Sequence, residues 1–172
     1  MYQFDPTRFP PVVASLLTGR LPELGPGTPH SAARSALQSL AVATLIPGAN
    51  GTDIAAACLS GLWLLHDFLD ESHQISQDLH TPAGSYWHAL MHRREPDPAN
   101  SKYWWRRVGT HPVFELLQSH SPEIGYSYRT PHEFVDFCES VRGTRSADED
   151  LARQVQLLEW QLLFDWCWNN AR

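Results

Sequence analysis

Six of the nine histidines fall between His66 and His111, and two stretches of that window carry them at helical spacing. His66, Asp70 and His73 stand at i, i+4 and i+7, with Gln77 one turn further on, and His88, His92 and Glu95 repeat the interval. At ~100° per residue each set makes a narrow stripe on one helix. Cys58, Leu62, Leu65 and Leu69 form an apolar arc beside the first stripe, while Asp67, Glu71, Gln74 and Asp78 point toward solvent. The first stripe therefore lies on the border between core and water. A short link over residues 79–84 makes the two helices antiparallel neighbours. If the stripes face each other, four imidazoles and two carboxylates converge. The expected ligand set is His66, Asp70, His73, His88, His92 and Glu95. Neutral imidazole with carboxylate suits Zn, Fe, Mn or Ni better than Ca. A metal there can bring the pKa of a bound water to ~7, and Asp70 or Glu71 is the expected catalytic base. The plainer reading is that each ring is satisfied separately by a carbonyl or water, since pairs at i, i+4 also occur without metal.

Beside the histidines lies a basic and aromatic stretch. Arg93, Arg94, Lys102, Arg106 and Arg107 are five of the 13 basic residues, and Tyr103, Trp104 and Trp105 interleave with them. Guanidinium groups grip carboxylate or phosphate in a fork, and aromatic faces stack flat or sugar-like ligands. The expected partner is a small anionic molecule held by these five basic residues and walled by Trp87, Trp104 and Trp105. Against this, Asp67, Glu71, Asp78, Glu95 and Asp97 are close enough in sequence to neutralise all five charges.

Standard catalytic strings are absent: there is no GxSxG, GxxxxGK[ST] or CxxC, and His132-Glu133-Phe134-Val135-Asp136 ends in Asp where a zinc-protease motif needs His. The text FLDESHQISQ (68–77), followed by YWHALMHRREPDPANSKYWWRRVGTHPVF (86–114), resembles a family of small uncharacterised, chiefly bacterial proteins. The resemblance covers less than a third of the chain. It marks this window as one unit and brings no activity, cofactor or catalytic residue with it.

The elements that must position these residues read as helices throughout. Proline and glycine punctuation predicts helices at about 9–18, 29–44 (capped by Thr28 and Pro29), 53–79 (opened by Asn50-Gly51-Thr52), 82–95, 99–108, 112–119, 131–141 and 147–170. Ser146-x-x-Glu149 is a capping box for the last of these. That helix carries two apolar stripes, through Leu151, Val155, Leu158, Leu162 and Trp166 and through Leu157, Trp160, Phe164 and Trp168. A helix apolar over so wide an arc belongs at the centre of a core. No hairpin signal appears, and residues 125–129 alternate but stand alone. The expected fold is all-α, a single-domain bundle of about seven or eight helices over residues 1–172.

With 42% hydrophobic and 19% charged residues over 172 positions, the chain can bury a core without disulfides. A net charge of −6 argues against a double-stranded nucleic-acid partner. No apolar run approaches the ~20 residues of a membrane span, and the acidic, proline-containing start does not read as a secretory leader. Cys58, Cys138 and Cys167 are odd in number and set among apolar residues, which indicates buried thiols in a reducing cytoplasm. The expectation is a metal-dependent enzyme, hydrolytic or oxidative, acting on a small anion. The alternatives are a metal-free module for an anionic or sugar-like ligand, and a protein-interaction domain whose docking face exposes Trp104 and Trp105.

Overall fold

The five α-helices from residue 82 onward each start on a side-chain acceptor, four of them followed by proline. Thr81 Oγ1 accepts from the Gly84 amide at 3.0 Å, Asp97 Oδ1 from Asn100 at 3.0 Å, His111 Nδ1 from Val113 at 3.3 Å and Thr130 Oγ1 from Glu133 at 3.2 Å. Prolines 82, 98, 112 and 131 follow these caps, where a missing N–H costs nothing. A computed structural model describes residues 2–17, 19–49 and 51–171. Among the described residues there are ten α-helices and no strand: α1 (Pro11–Ala14), α2 (Ser31–Ser39), α3 (Val42–Leu45), α4 (Thr52–Leu65), α5 (Leu69–Ser76), α6 (Pro82–Arg94), α7 (Pro98–Val108), α8 (Pro112–His120), α9 (Pro131–Val141) and α10 (Ala147–Asn170). Eight of them are two turns or longer, so the fold is the expected all-helical bundle. No described helix is long and apolar enough to cross a membrane.

α10 packs against α4, α8 and α9 and supplies the centre of the core through Val155, Leu162, Leu163, Phe164 and Cys167. Its N-terminus uses the capping box in altered form. Ser146 Oγ accepts from the Glu149 amide at 3.3 Å, but the Glu149 carboxylate binds the amides of Gly143 and Arg145 at 2.7 and 2.6 Å. α4 and α6 approach closely where Gly61 faces the Trp87 ring; an added Cβ would lie 2.7 Å from ring carbons. The Gly61 carbonyl also accepts from Trp160 Nε1 at 2.8 Å. Gly61→Ala is therefore expected to destabilise the protein by about 1–3 kcal/mol through overpacking. A lower urea midpoint at unchanged slope would show it, and an unchanged midpoint would mean Trp87 has room to move.

Three expected helices are corrected. The first keeps only residues 11–14 as α-helix, and its expected end, Thr18, lies outside the described residues. The second begins at Ser31 with His30 as N-cap instead of Thr28. It divides into α2 and α3 because Leu40 and Ala41 are extended. The third correction matters most: the helix expected over 53–79 is two helices, α4 and α5. Of its expected opening, Asn50 lies outside the described residues and Gly51 is the N-cap.

The break at residues 66–68 is made by Asp67, whose φ is 64°. Aspartate tolerates this left-handed region better than most residues. Its buried carboxylate is bound by Arg94 Nη2 at 2.5 Å and by Arg20. Arg94 Nη1 also donates to the Leu64 carbonyl at 2.8 Å, in the last turn of α4, where the Asp67 amide donates to the same oxygen at 3.2 Å.

Candidate metal centre

α5 and α6 are joined by a short turn, and the first turn of α6 closes on that link. A Cβ on Gly84 would fall 2.3–2.5 Å from Leu79 atoms, so glycine is what lets the turn be this tight. One turn further along, His88 lies beside Ser76 and His73, and His92 follows one turn later. His73, His88 and His92 each offer a ring nitrogen, and these atoms lie within 4.8 Å of one another. The rings of His73 and His88 are 4.6 Å apart, and those of His73 and His92 are 5.4 Å apart. His88 and His92 are 2% and 5% exposed, and His73 is half-buried.

The outer nitrogens of the two buried rings are held. His92 Nδ1 is 2.9 Å from Glu95 Oε2 and donates to that carboxylate. His88 Nδ1 is 2.9 Å from Ser76 Oγ, while Ser76 Oγ lies 3.3 Å from the His73 carbonyl. A carbonyl only accepts. When the serine hydrogen goes to it, His88 Nδ1–H donates to the serine oxygen. Both Nε2 atoms then carry lone pairs, and they face each other at 3.0 Å. Burial and the two neighbouring imidazoles push His88 down to about 3. Burial also lowers His92, against the opposing pull of Glu95. A proton is therefore a poor filler between them at neutral pH, whereas two nitrogens on one zinc stand ~3.3 Å apart at ordinary bond lengths. Asn100 from α7 completes the surround, its Nδ2 3.1 Å from His92 Nε2. Turning that amide over would present Oδ1 instead. Trp104 from the same helix covers His88, with rings 4.1 Å apart.

The other residues expected at the site are elsewhere. His66 ends α4, where its Nε2 meets the Leu16 carbonyl at 2.8 Å and its Nδ1 meets His30 Nδ1 at 3.1 Å. The break at Asp67 removes it from the His73 stripe. Asp70 is exposed and lines an open groove of about 600 Å³ with Asp67, Phe68, Gln74 and Glu95. Glu71 lines the same groove and pairs with Arg34 at 2.8 Å. Glu95 stands on the far nitrogen of His92, as its orienting partner and outside the three-nitrogen group.

Of the basic set, Arg93 is fully buried in an ion pair with Glu159 at 2.7 Å, Arg94 holds Asp67, and Lys102 pairs with Asp136. Arg106 and Arg107 are exposed and, among the described residues, contact aromatic rings instead of carboxylates. Trp87 is buried against α4, and Trp105 is buried against Tyr86, so neither walls a cleft. Half-buried Trp104 alone borders the centre. With Trp105 inside, the docking face expected of an interaction domain loses one of its two tryptophans.

Two residues that the sequence pattern left out belong to the surround, Ser76 and Asn100. Both were detectable in principle, Ser76 one turn beyond His73 and Asn100 three residues beyond the α7 cap. His111, by contrast, is a cap and a core residue, packed on Trp166 at 4.4 Å. Burial lowers its pKa to about 4. The fold favours its neutral form, so its contribution is complete above pH about 6.5 and is lost as pH falls toward 4. The urea midpoint is expected to fall across that window, and less steeply in His111→Asn, which keeps a capping acceptor that does not titrate. An identical slope in the variant would assign the loss to the other buried histidines.

No protein-family model, curated protein or solved structure matches the chain.

Proposed function

We propose that this is a metal-dependent protein in which His73, His88 and His92 hold one divalent transition metal and direct it at a small substrate, by hydrolysis. The observation that carries the reading is the third imidazole. Ser76, His88, His92 and Glu95 alone could close as a metal-free chain of hydrogen bonds, with His88 Nε2–H donating to His92. That chain has no use for His73, whose ring nitrogens have no hydrogen-bond partner among the described residues. A metal uses all three rings. Three neutral nitrogens with a position left open is the ligand pattern of catalytic zinc. The Glu95 carboxylate behind His92 is the outer partner that fixes a ligating tautomer. In that role the metal supplies a water acidic enough to attack as hydroxide near neutral pH.

The three free, buried cysteines support placing the protein in a reducing cytoplasm. Protein prepared without a histidine tag is expected to carry about one zinc, or to take up one Co²⁺ with visible bands of tetrahedral or five-coordinate intensity. Metal content well below one per chain after incubation with zinc would overturn the reading in favour of the metal-free chain.

A further inference from the structure

α7 lays one stripe of side chains along the centre: Asn100, Trp104 and Arg107, at i, i+4 and i+7. Asn100 reaches His92, and the Trp104 ring lies against His88 at 4.1 Å, tilted by 49°. The guanidinium carbon of Arg107 lies 5.2 Å from the Trp104 ring and 6.0 Å from that of Tyr103. We propose that the open side of the metal centre takes an oxyanion, a phosphate or carboxylate group of the substrate, and that Arg107 is the residue that grips it. The inference rests on the metal reading above and adds the substrate class.

Two arguments carry it. The first is charge. Three imidazole ligands are neutral, so the ion keeps its full double charge, and the carboxylate of Glu95 offsets only part of it from behind His92. No carboxylate belongs to the ligand group. A ligand entering the open position is favoured if it is anionic, and a second cation beside it strengthens the preference.

The second argument is geometric and separates Arg107 from the other basic residues. Arg93, Arg94 and Lys102 already hold carboxylates. Among the described residues Arg106 lies over exposed Tyr103, at 5.9 Å, and it is off the stripe. Arg107 lies over the same tryptophan that covers His88, its guanidinium carbon 5.2 Å from the ring centre. A cation–π contact of this kind uses none of the guanidinium N–H donors on a carboxylate and leaves them for a two-pronged bond to an oxyanion. It also restricts a side chain that would otherwise roam, which lowers the ordering cost of binding.

The test uses the Co²⁺-loaded full chain, with inorganic phosphate and acetate as probes and the visible spectrum as readout. Phosphate is expected to shift the bands saturably, with acetate weaker. Arg107→Gln should leave the anion-free spectrum unchanged and weaken phosphate at least tenfold, while Arg106→Gln stays within twofold. Phosphate binding that survives Arg107→Gln within twofold, or falls equally in both variants, overturns the assignment of Arg107. Co²⁺ bands that phosphate does not move overturn the oxyanion subsite but leave the metal centre standing. Failure to bind Co²⁺ at all overturns both.

Discussion

His88→Ala is expected to abolish stoichiometric binding of Zn²⁺ or Co²⁺, together with the stabilisation those ions confer. His88 is the middle member of the cluster, with the His73 ring at 4.6 Å, His92 Nε2 at 3.0 Å, and Ser76 fixing its other nitrogen. Its loss leaves two imidazoles on different helices with nothing holding them to one point. For the wild-type chain at a free ion concentration of 100 Kd, binding adds about 2.7 kcal/mol. For a domain of this size that is a rise in Tm of ~5–10 °C. The variant should show no rise, while His120→Ala, far from the centre on α8, keeps it. Ser76→Ala tests the surround separately: it keeps all three ligands and should weaken binding by about 10–100-fold. Undiminished metal content in His88→Ala, with circular dichroism showing the variant folded, would remove the three-histidine centre.

The half of the site that could be read from sequence is the half that one helix fixes. His88, His92 and Glu95 lie within and at the end of α6, and their spacing alone brings His92 to Glu95. His73 follows from a short turn, because Thr81-Pro82 forces α6 to start close behind α5. His66 failed for a tertiary reason. The run from residue 53 to 79 has no proline and an unbroken apolar arc, so local propensity favours one helix. The break depends on Asp67 finding Arg20 and Arg94, and on Arg94 taking up the Leu64 carbonyl.

The arginines divide in the same way. Arg94 pairs with Asp67, one of the acids near it in sequence. Arg93 instead goes to Glu159 on α10, which no local pattern indicates, and the choice between them follows from which face of α6 points to the core. Caps were legible where an adjacent threonine and proline open a helix, as at Thr81-Pro82 and Thr130-Pro131. They were misread at Thr28-Pro29, where the chain stays extended and runs over the α4–α5 corner: the His30 amide donates to the His66 carbonyl at 3.0 Å.

Glu159→Ala is expected to be the most damaging single change in the molecule, at about 3–5 kcal/mol. Both members of the Arg93–Glu159 pair have fully buried side chains. Removing the carboxylate leaves a guanidinium that cannot lose its proton, enclosed beside the Phe134 ring and left, among the described residues, with the weak 3.5 Å contact to Gln156. Tyr86, whose hydroxyl donates to Glu159 Oε1 at 3.1 Å, loses its partner as well. Against a total stability of ~5–15 kcal/mol such a loss brings the chain near unfolding. The cause is the stranded charge and not the missing attraction, so the double variant Arg93→Met, Glu159→Leu should recover most of the loss. The residue of the loss should be the unpaired Tyr86 hydroxyl, about 1–3 kcal/mol. Denaturant midpoints of the wild type, the single variant and the double variant decide between these terms: recovery assigns the cost to desolvated charge, and a double variant as weak as the single would mean that the pair fixes the packing of α6 on α10. Arg93 directly follows His92 on α6. If the pair serves stability alone, the double variant should still bind one Co²⁺ with the wild-type spectrum, because the turns that hold His73 beside His88 lie at the other end of the helix.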